Sequence, residues 1–220
     1  MIYKKWIVAL LFIFMLLTPA LAQENTPGEN DEPRFLFSDK EMKVNGFGGP
    51  FVLFSQMEGD FAVMTGGGGA ALVNNTFYLG GYGAGLASRH KREDYKNMPD
   101  LYTELGHGGL WMGYNIAANK IMHLTVSVKA GIGGLSLSAD DLHTQHDNLK
   151  TDLIYAFMPE AGLEVNIAPW FKLNAGAGYH YLTGTDGETY PTETSERVAY
   201  QASDYTTPYF NLTFIFGWFK

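Results

Sequence analysis

From about residue 43 onward the chain alternates apolar and polar residues with a period of two over long stretches. In IMHLTVSVKAGI one parity holds Met122, Leu124, Val126, Val128, Ala130 and Ile132; the other holds His123, Thr125, Ser127, Lys129 and Gly131. FKLNAGAGYHY repeats the design, with Phe171, Leu173, Ala175, Ala177, Tyr179 and Tyr181 opposite Lys172, Asn174, Gly176, Gly178 and His180. Tyr155, Phe157, Ala161, Leu163, Val165 and Ile167 oppose Glu160, Glu164 and Asn166, and near the C-terminus Phe210, Leu212, Phe214, Phe216 and Trp218 oppose Asn211, Thr213 and Gly217. A period of two is the spacing of a strand, whose successive side chains point to opposite faces. The pattern predicts eight strands, at about 43–55, 60–73, 76–88, 101–117, 121–138, 151–167, 170–183 and 205–219.

The predicted connections alternate in length. Asn74-Asn75, Ala118-Asn119-Lys120 and Ala168-Pro169 read as tight turns, and polar loops span 89–100, 139–150 and 184–204, with a shorter one near 55–60. Short turns at one rim and long loops at the other are the layout of an outer-membrane barrel, turns periplasmic and loops external. An even strand count then puts both ends of the barrel on the periplasmic side.

The competing architecture is a soluble, lipocalin-like carrier with the opposite sense of alternation, apolar inside and polar toward water. The broad apolar parity and its aromatic ends favour lipid. Tyr78, Tyr114, Trp170, Phe171 and Trp218 fall near the short turns, and Phe54, Phe61, Tyr102, Tyr155, Tyr181 and Tyr205 near the long loops. Aromatic girdles at two rims mark membrane–water interfaces. The expected fold is therefore all-β, an eight-stranded antiparallel up-and-down transmembrane β-barrel.

The N-terminal text supports export. Lys4 and Lys5 precede the apolar run Trp6–Leu17, and Ala20-Leu21-Ala22 forms a small-residue cleavage site before Gln23. The apolar run is shorter than the roughly 20 residues that span a bilayer. The expected organisation is a secretory signal at 1–22, a disordered acidic leader at 23–42 and the barrel at 43–220. The chain has no cysteine, so neither a disulfide scaffold nor a lipoprotein anchor is available. It carries 15 basic and 23 acidic residues, and loss of Lys4 and Lys5 makes it more acidic still. That charge argues against nucleic acid as a partner, because phosphates require Lys and Arg.

The strand meander over about 43–219 and the terminal YFNLTFIFGWFK resemble the small eight-stranded outer-membrane barrel proteins of Gram-negative bacteria. The family's last strand typically ends in an aromatic that the barrel-assembly machinery reads; here Lys220 follows Phe219. The resemblance implies a location and a biogenesis route, with no activity attached. Some barrels of this size modify lipid A, which keeps an enzymatic alternative open.

Candidate chemistry is sparse. Gly66–Gly69 is followed by Ala70-Ala71-Leu72 instead of the Lys-Ser/Thr of a phosphate loop, and GGYGAG lacks a following helix. These glycines are expected inside paired strands, with Gly67 and Gly81 at a thin-walled patch that admits bulky neighbours. Lys129, Glu160, Glu164 and Lys172 share the polar parity and are expected to form an ion-pair network filling the lumen, Glu164 opposite Lys172. His143, His146 and Asp147 are weak metal-ligand candidates in an external loop, and no cofactor or resident metal is expected. His107, His123 and His180 read as lumen or rim residues bonded to neighbours. Ser127 and His123 share one strand face too far apart for a compact nucleophile–base pair, so no catalytic residue is assigned. Arg89, Lys91, Arg92 and Lys96 could meet lipopolysaccharide phosphates, and the acidic loops could take divalent cations or a protein. The expected protein is a monomer whose partners are outer-membrane lipid and the assembly machinery.

Overall fold

The computed structural model describes residues 42–57, 59–89, 101–139, 148–184, 186–189 and 198–219. Eight strands make the wall: β1 (Val44–Met57), β2 (Asp60–Val73), β3 (Phe77–Leu86), β4 (Leu101–Ile116), β5 (Met122–Ala139), β6 (Asn148–Ala168), β7 (Phe171–Thr183) and β10 (Thr207–Gly217). Between β7 and β10 lie two short strands, β8 (Asp186–Thr189) and β9 (Val198–Gln201), and a 3-10 turn at Ala202–Tyr205. Every wall strand pairs antiparallel with its sequence neighbour, and β1 pairs with β10 to close the barrel. That seam runs from Phe47↔Gly217 to Ser55↔Tyr209. It skips Gly49 and Pro50, where proline has no N–H to donate.

The short turns fall where the sequence places them. Asn74 and Asn75 both adopt positive φ, 52° and 57°, the left-handed pair that suits a right-twisted two-residue hairpin and that Asn tolerates. Their amide oxygens also accept from Lys43 N at 3.1 Å and Asn45 Nδ2 at 3.4 Å, pinning the turn to the start of β1. At the opposite rim, β1 and β2 stay paired up to Met57↔Asp60, a tighter connection than the expected short loop, with Gly59 at φ 91°. β5 and β6 extend into the expected 139–150 loop, as β6 already starts at Asn148. The 184–204 loop is not wholly irregular either. Its ends pair as a separate two-stranded sheet, Asp186↔Gln201 to Thr189↔Val198.

The wall has an inverted polarity. Phe210 is 71% exposed, Phe61 64% and Leu110 58%, while Lys129, His180 and Asn211 are buried on the other face. Water would penalise such an exterior, and hydrocarbon accepts it. The lipocalin-like alternative is thus excluded by the direction in which each parity points. Tyr114, Trp170 and Trp218 are exposed near the short-turn rim, and Phe54, Phe61, Tyr155 and Tyr181 near the other. At the short-turn rim Phe216 stacks on both Trp170 and Phe171, which are tilted against each other.

Two members of the expected girdles face inward instead. Tyr78 pairs with Leu72 and shares its lumen parity, so its ring packs edge-on against Phe47 and Trp111. Tyr205 precedes β10, in the 3-10 turn, and is fully buried with Ala202. The glycine patch also needs correcting. Gly67 and Gly81 lie on the lipid-facing parity, where an added Cβ would make only ordinary contacts of 3.4 Å. The crowded glycines are the alternate ones. A Cβ on Gly66 would meet the Phe51 ring at 2.6 Å, and one on Gly68 the Trp111 ring at 3.0 Å. The four-glycine run thins the inner surface so that two large rings fit a narrow lumen.

We expect Gly66→Val and Gly68→Val to block formation of the compact, heat-modifiable barrel seen on unheated electrophoresis. Gly67→Val and Gly81→Val should fold like the parent. Equal folding of all four variants would remove the packing role of the inner pair.

Candidate functional site

The polar groups of the barrel converge inside it. β5, β6 and β7 each present their polar parity to the lumen, and the register sets which charges meet. Ser127↔Glu160 and Lys129↔Met158 place Lys129 diagonally from Glu160 across β5 and β6. Lys129 Nζ donates to Glu160 Oε2 at 2.9 Å. Glu164 faces Asn174 and lies diagonal to Lys172, whose Nζ donates to Glu164 Oε1 at 2.8 Å. The four residues therefore form two separate clusters.

Each cluster recruits partners that the sequence pattern does not reveal. Around Glu160, the Tyr209 hydroxyl donates at 3.0 Å and Asn211 Nδ2 bridges both carboxylate oxygens at 3.0 Å. Lys129 is 0% exposed, and its ammonium sits 5.4 Å from the centroid of Phe51 and 5.2 Å from that of Trp111. The cation is thus covered by ring faces on the sides its carboxylate leaves open. Around Glu164, His123 Nε2 lies 3.1 Å from Oε1, and the Phe219 ring lies 4.4 Å from Lys172 Nζ. Asn174 donates to Thr125 Oγ1 at 2.8 Å beside them. Tyr209 is the missed residue with the clearest signal: it shares parity with Asn211 and Thr213 on the last strand.

The side chains inside the barrel pack closely. At the short-turn end, Phe47, Tyr78, Trp111, Lys172 and Phe219 enclose a cavity of about 10 Å³, room for no more than one water. Toward the other end Phe51, Leu53, Met57, Met64, Leu135, Leu137, Ile154 and Met158 pack as a core, with Ala202 and Tyr205 against it. Such an interior holds its charges by mutual pairing.

The remaining candidates lie elsewhere. Arg89 is exposed just past β3, its guanidinium 5.3 Å from the Tyr102 ring. Lys91, Arg92, Lys96, His143, His146 and Asp147 fall outside the described residues. The structure directs Ser127 and His123 into the lumen parity, with His123 committed to Glu164.

No protein-family model matches the chain, and no curated protein matches it in sequence. Solved barrels are similar in architecture. Neisserial surface protein A is 9% identical over 82% of this chain and 100% of its own, at a TM-score of 0.47. Ail, the attachment invasion locus protein of Yersinia pestis, is 14% identical over 80% and 100%, at 0.42. The outer membrane protein AlkL is 16% identical over 89% and 96%, at 0.41. The class itself rests on this chain's own wall and lumen. A closed eight-stranded sheet with an apolar, aromatic-rimmed exterior and a polar, packed interior is a transmembrane β-barrel of the bacterial outer-membrane type.

Lys129→Met should destabilise the barrel by about 3–5 kcal/mol, because it strands a buried carboxylate. The double variant Lys129→Met/Glu160→Gln should recover part of that loss. Urea unfolding in lipid vesicles measures both, and a single variant as stable as the parent would refute a structural role for the pair.

Proposed function

We propose that the chain is a sealed outer-membrane barrel that works through its external loops, in a structural or adhesive role, as neither a pore nor an enzyme. The observation that carries this is the filled lumen, in which Lys129 is fully buried against Glu160, Phe51 and Trp111. The wall then serves as an anchor, and recognition belongs to what projects from the long-loop rim. The basic set Arg89, Lys91, Arg92 and Lys96 suits lipopolysaccharide phosphates, to which guanidinium groups bind in a bidentate manner. The acidic loops 139–150 and 184–204 suit divalent cations or a basic protein surface. His143, His146 and Asp147 belong to the first of these.

Two measurements test this role. Purified protein in planar bilayers should give no conductance steps, and stable channels would overturn the sealed lumen. Replacing Arg89, Lys91, Arg92 and Lys96 together by Gln should release the barrel from immobilised lipopolysaccharide; unchanged retention would remove that contact.

A further inference from the structure

The outer wall carries a patch that the barrel's own packing does not require. On the lipid-facing parity Gly67 pairs with Gly83 and Gly83 with Gly108, while Gly85 pairs with Gly106 and Gly106 with Gly134. These positions are neighbours across β2 to β5, so one stretch of the wall presents bare backbone to the membrane. It is roughly 14 Å wide, three strand spacings of about 4.8 Å, and it lies toward the long-loop rim. Its border is ordinary wall: Leu110, Ile132 and Leu153 are all exposed. Glycine weakens a strand and gives lipid no side chain to pack on. The inward glycines are needed to admit rings; most of these are not. A Cβ on Gly83 would meet nothing within 4 Å, and those on Gly67, Gly85 and Gly106 would come nearest to backbone oxygens at 3.4, 3.7 and 3.6 Å. Gly108 and Gly134 are tighter, at 2.9 and 3.0 Å. What the four open positions share is a smooth exterior, on which a ligand can lie directly against the backbone.

The patch runs into a polar cavity. The β3–β4 pairing ends at Gly85↔Gly106; beyond it β4 continues on β5, while Ala87 N and Ser88 N turn to Val63 O on β2, at 2.8 and 3.2 Å. Where the strands part a cavity of about 580 Å³ opens, lined by Gly106 and Gly134 together with Arg89, Thr103, Glu104 and Ser136. Thr103 is 5% exposed, and its Oγ1 is buried without a hydrogen-bond partner among the described residues. Leaving such a group unsatisfied is unfavourable, and a ligand oxygen in the cavity would satisfy it. Arg89 brings a cation, Glu104 a carboxylate, and Thr103 and Ser136 hydroxyls. That mixture fits a phosphorylated sugar, which carries anionic acceptors and hydroxyl donors in one group.

We propose that the glycine patch and this cavity together hold one lipid A molecule of the outer leaflet. Its acyl chains lie on the bare backbone, and its phosphorylated sugar sits between Arg89 and Thr103. The headgroup half rests on the lipopolysaccharide contact proposed above for Arg89, and the wall contact does not. Hydrocarbon surrounds the chains whether bound or free, so the patch supplies position more than driving force. Side chains there would hold the lipid off the wall and its headgroup out of the cavity. A second barrel would also fit against glycines, but its apolar wall would bring nothing polar to the cavity.

The test uses the full barrel in phosphatidylcholine nanodiscs, titrated with bis-phosphorylated lipid A, with bound lipid counted by native mass spectrometry. One lipid A should be retained per barrel, and phosphatidylglycerol should fail to displace it. Gly83→Leu, Gly106→Leu and Arg89→Gln should each weaken retention about 10-fold, and Thr103→Val to a lesser degree. Ala175→Leu, on the exposed parity of β7 across the barrel, should bind like the parent. Heat-modifiable mobility verifies folding of every variant. The triple variant Lys91→Gln/Arg92→Gln/Lys96→Gln separates the two contacts, because the wall site predicts that it binds lipid A like the parent. Binding lost in that variant and kept in the glycine variants overturns the wall site and leaves the loop contact standing. Failure of the parent to retain lipid A, displacement by phosphatidylglycerol, or a barrel dimer that the glycine variants abolish would each overturn the site as well.

Discussion

Hydrogen-bond closure between the first and last wall strands is the constraint from which the rest of the architecture follows. In hydrocarbon no water is available to satisfy a strand edge, so the sheet must return on itself. The seam from Phe47↔Gly217 to Ser55↔Tyr209 accomplishes this, and it joins segments more than 150 residues apart in the chain. Once the wall is closed, one parity of every strand belongs to lipid and the other to a narrow interior. Phe210 and Asn211 are neighbours in sequence, yet one is among the most exposed side chains and the other among the most buried.

Closure at eight strands fixes the lumen's width, and width decides the chemistry inside. An eight-stranded interior is just wide enough for side chains to fill. Each carboxylate therefore lies within reach of several strands at once. Glu160 on β6 collects Lys129 from β5 and Tyr209 and Asn211 from β10. Large rings share the same space, and they fit because glycines stand on the facing strands. Gly66 admits Phe51, Gly68 admits Trp111, and a Cβ on Gly113 would collide with the Tyr78 ring. Charge pairing and glycine placement are thus two aspects of one packing problem.

Most of the wall was legible in the linear text. Strand positions, the Asn74-Asn75 turn and the membrane-facing parity all follow from a two-residue period, a local property of the chain. Features that misled were those whose neighbours are remote. Tyr78 looked like a girdle residue because it sits beside a turn, but its parity is set through Leu72 on the adjacent strand. Gly67 and Gly81 looked like packing sites because they lie within glycine runs, and only the facing Phe51 and Trp111 rings show that the alternate glycines matter. The short β8–β9 pairing lay within a polar stretch whose composition alone reads as loop.

By itself, then, the sequence determined that this chain forms an even-stranded barrel with short turns at one rim and long loops at the other. It also determined which face of each strand meets lipid, because alternation is written residue by residue. The tertiary structure alone decided what meets across the lumen: two ion clusters in place of one network, Tyr209 and Asn211 on Glu160, and the approach of His107 to His180. Those contacts depend on strand register and on the curvature of the closed sheet, which bring together positions many tens of residues apart. No local period in the sequence encodes such distances.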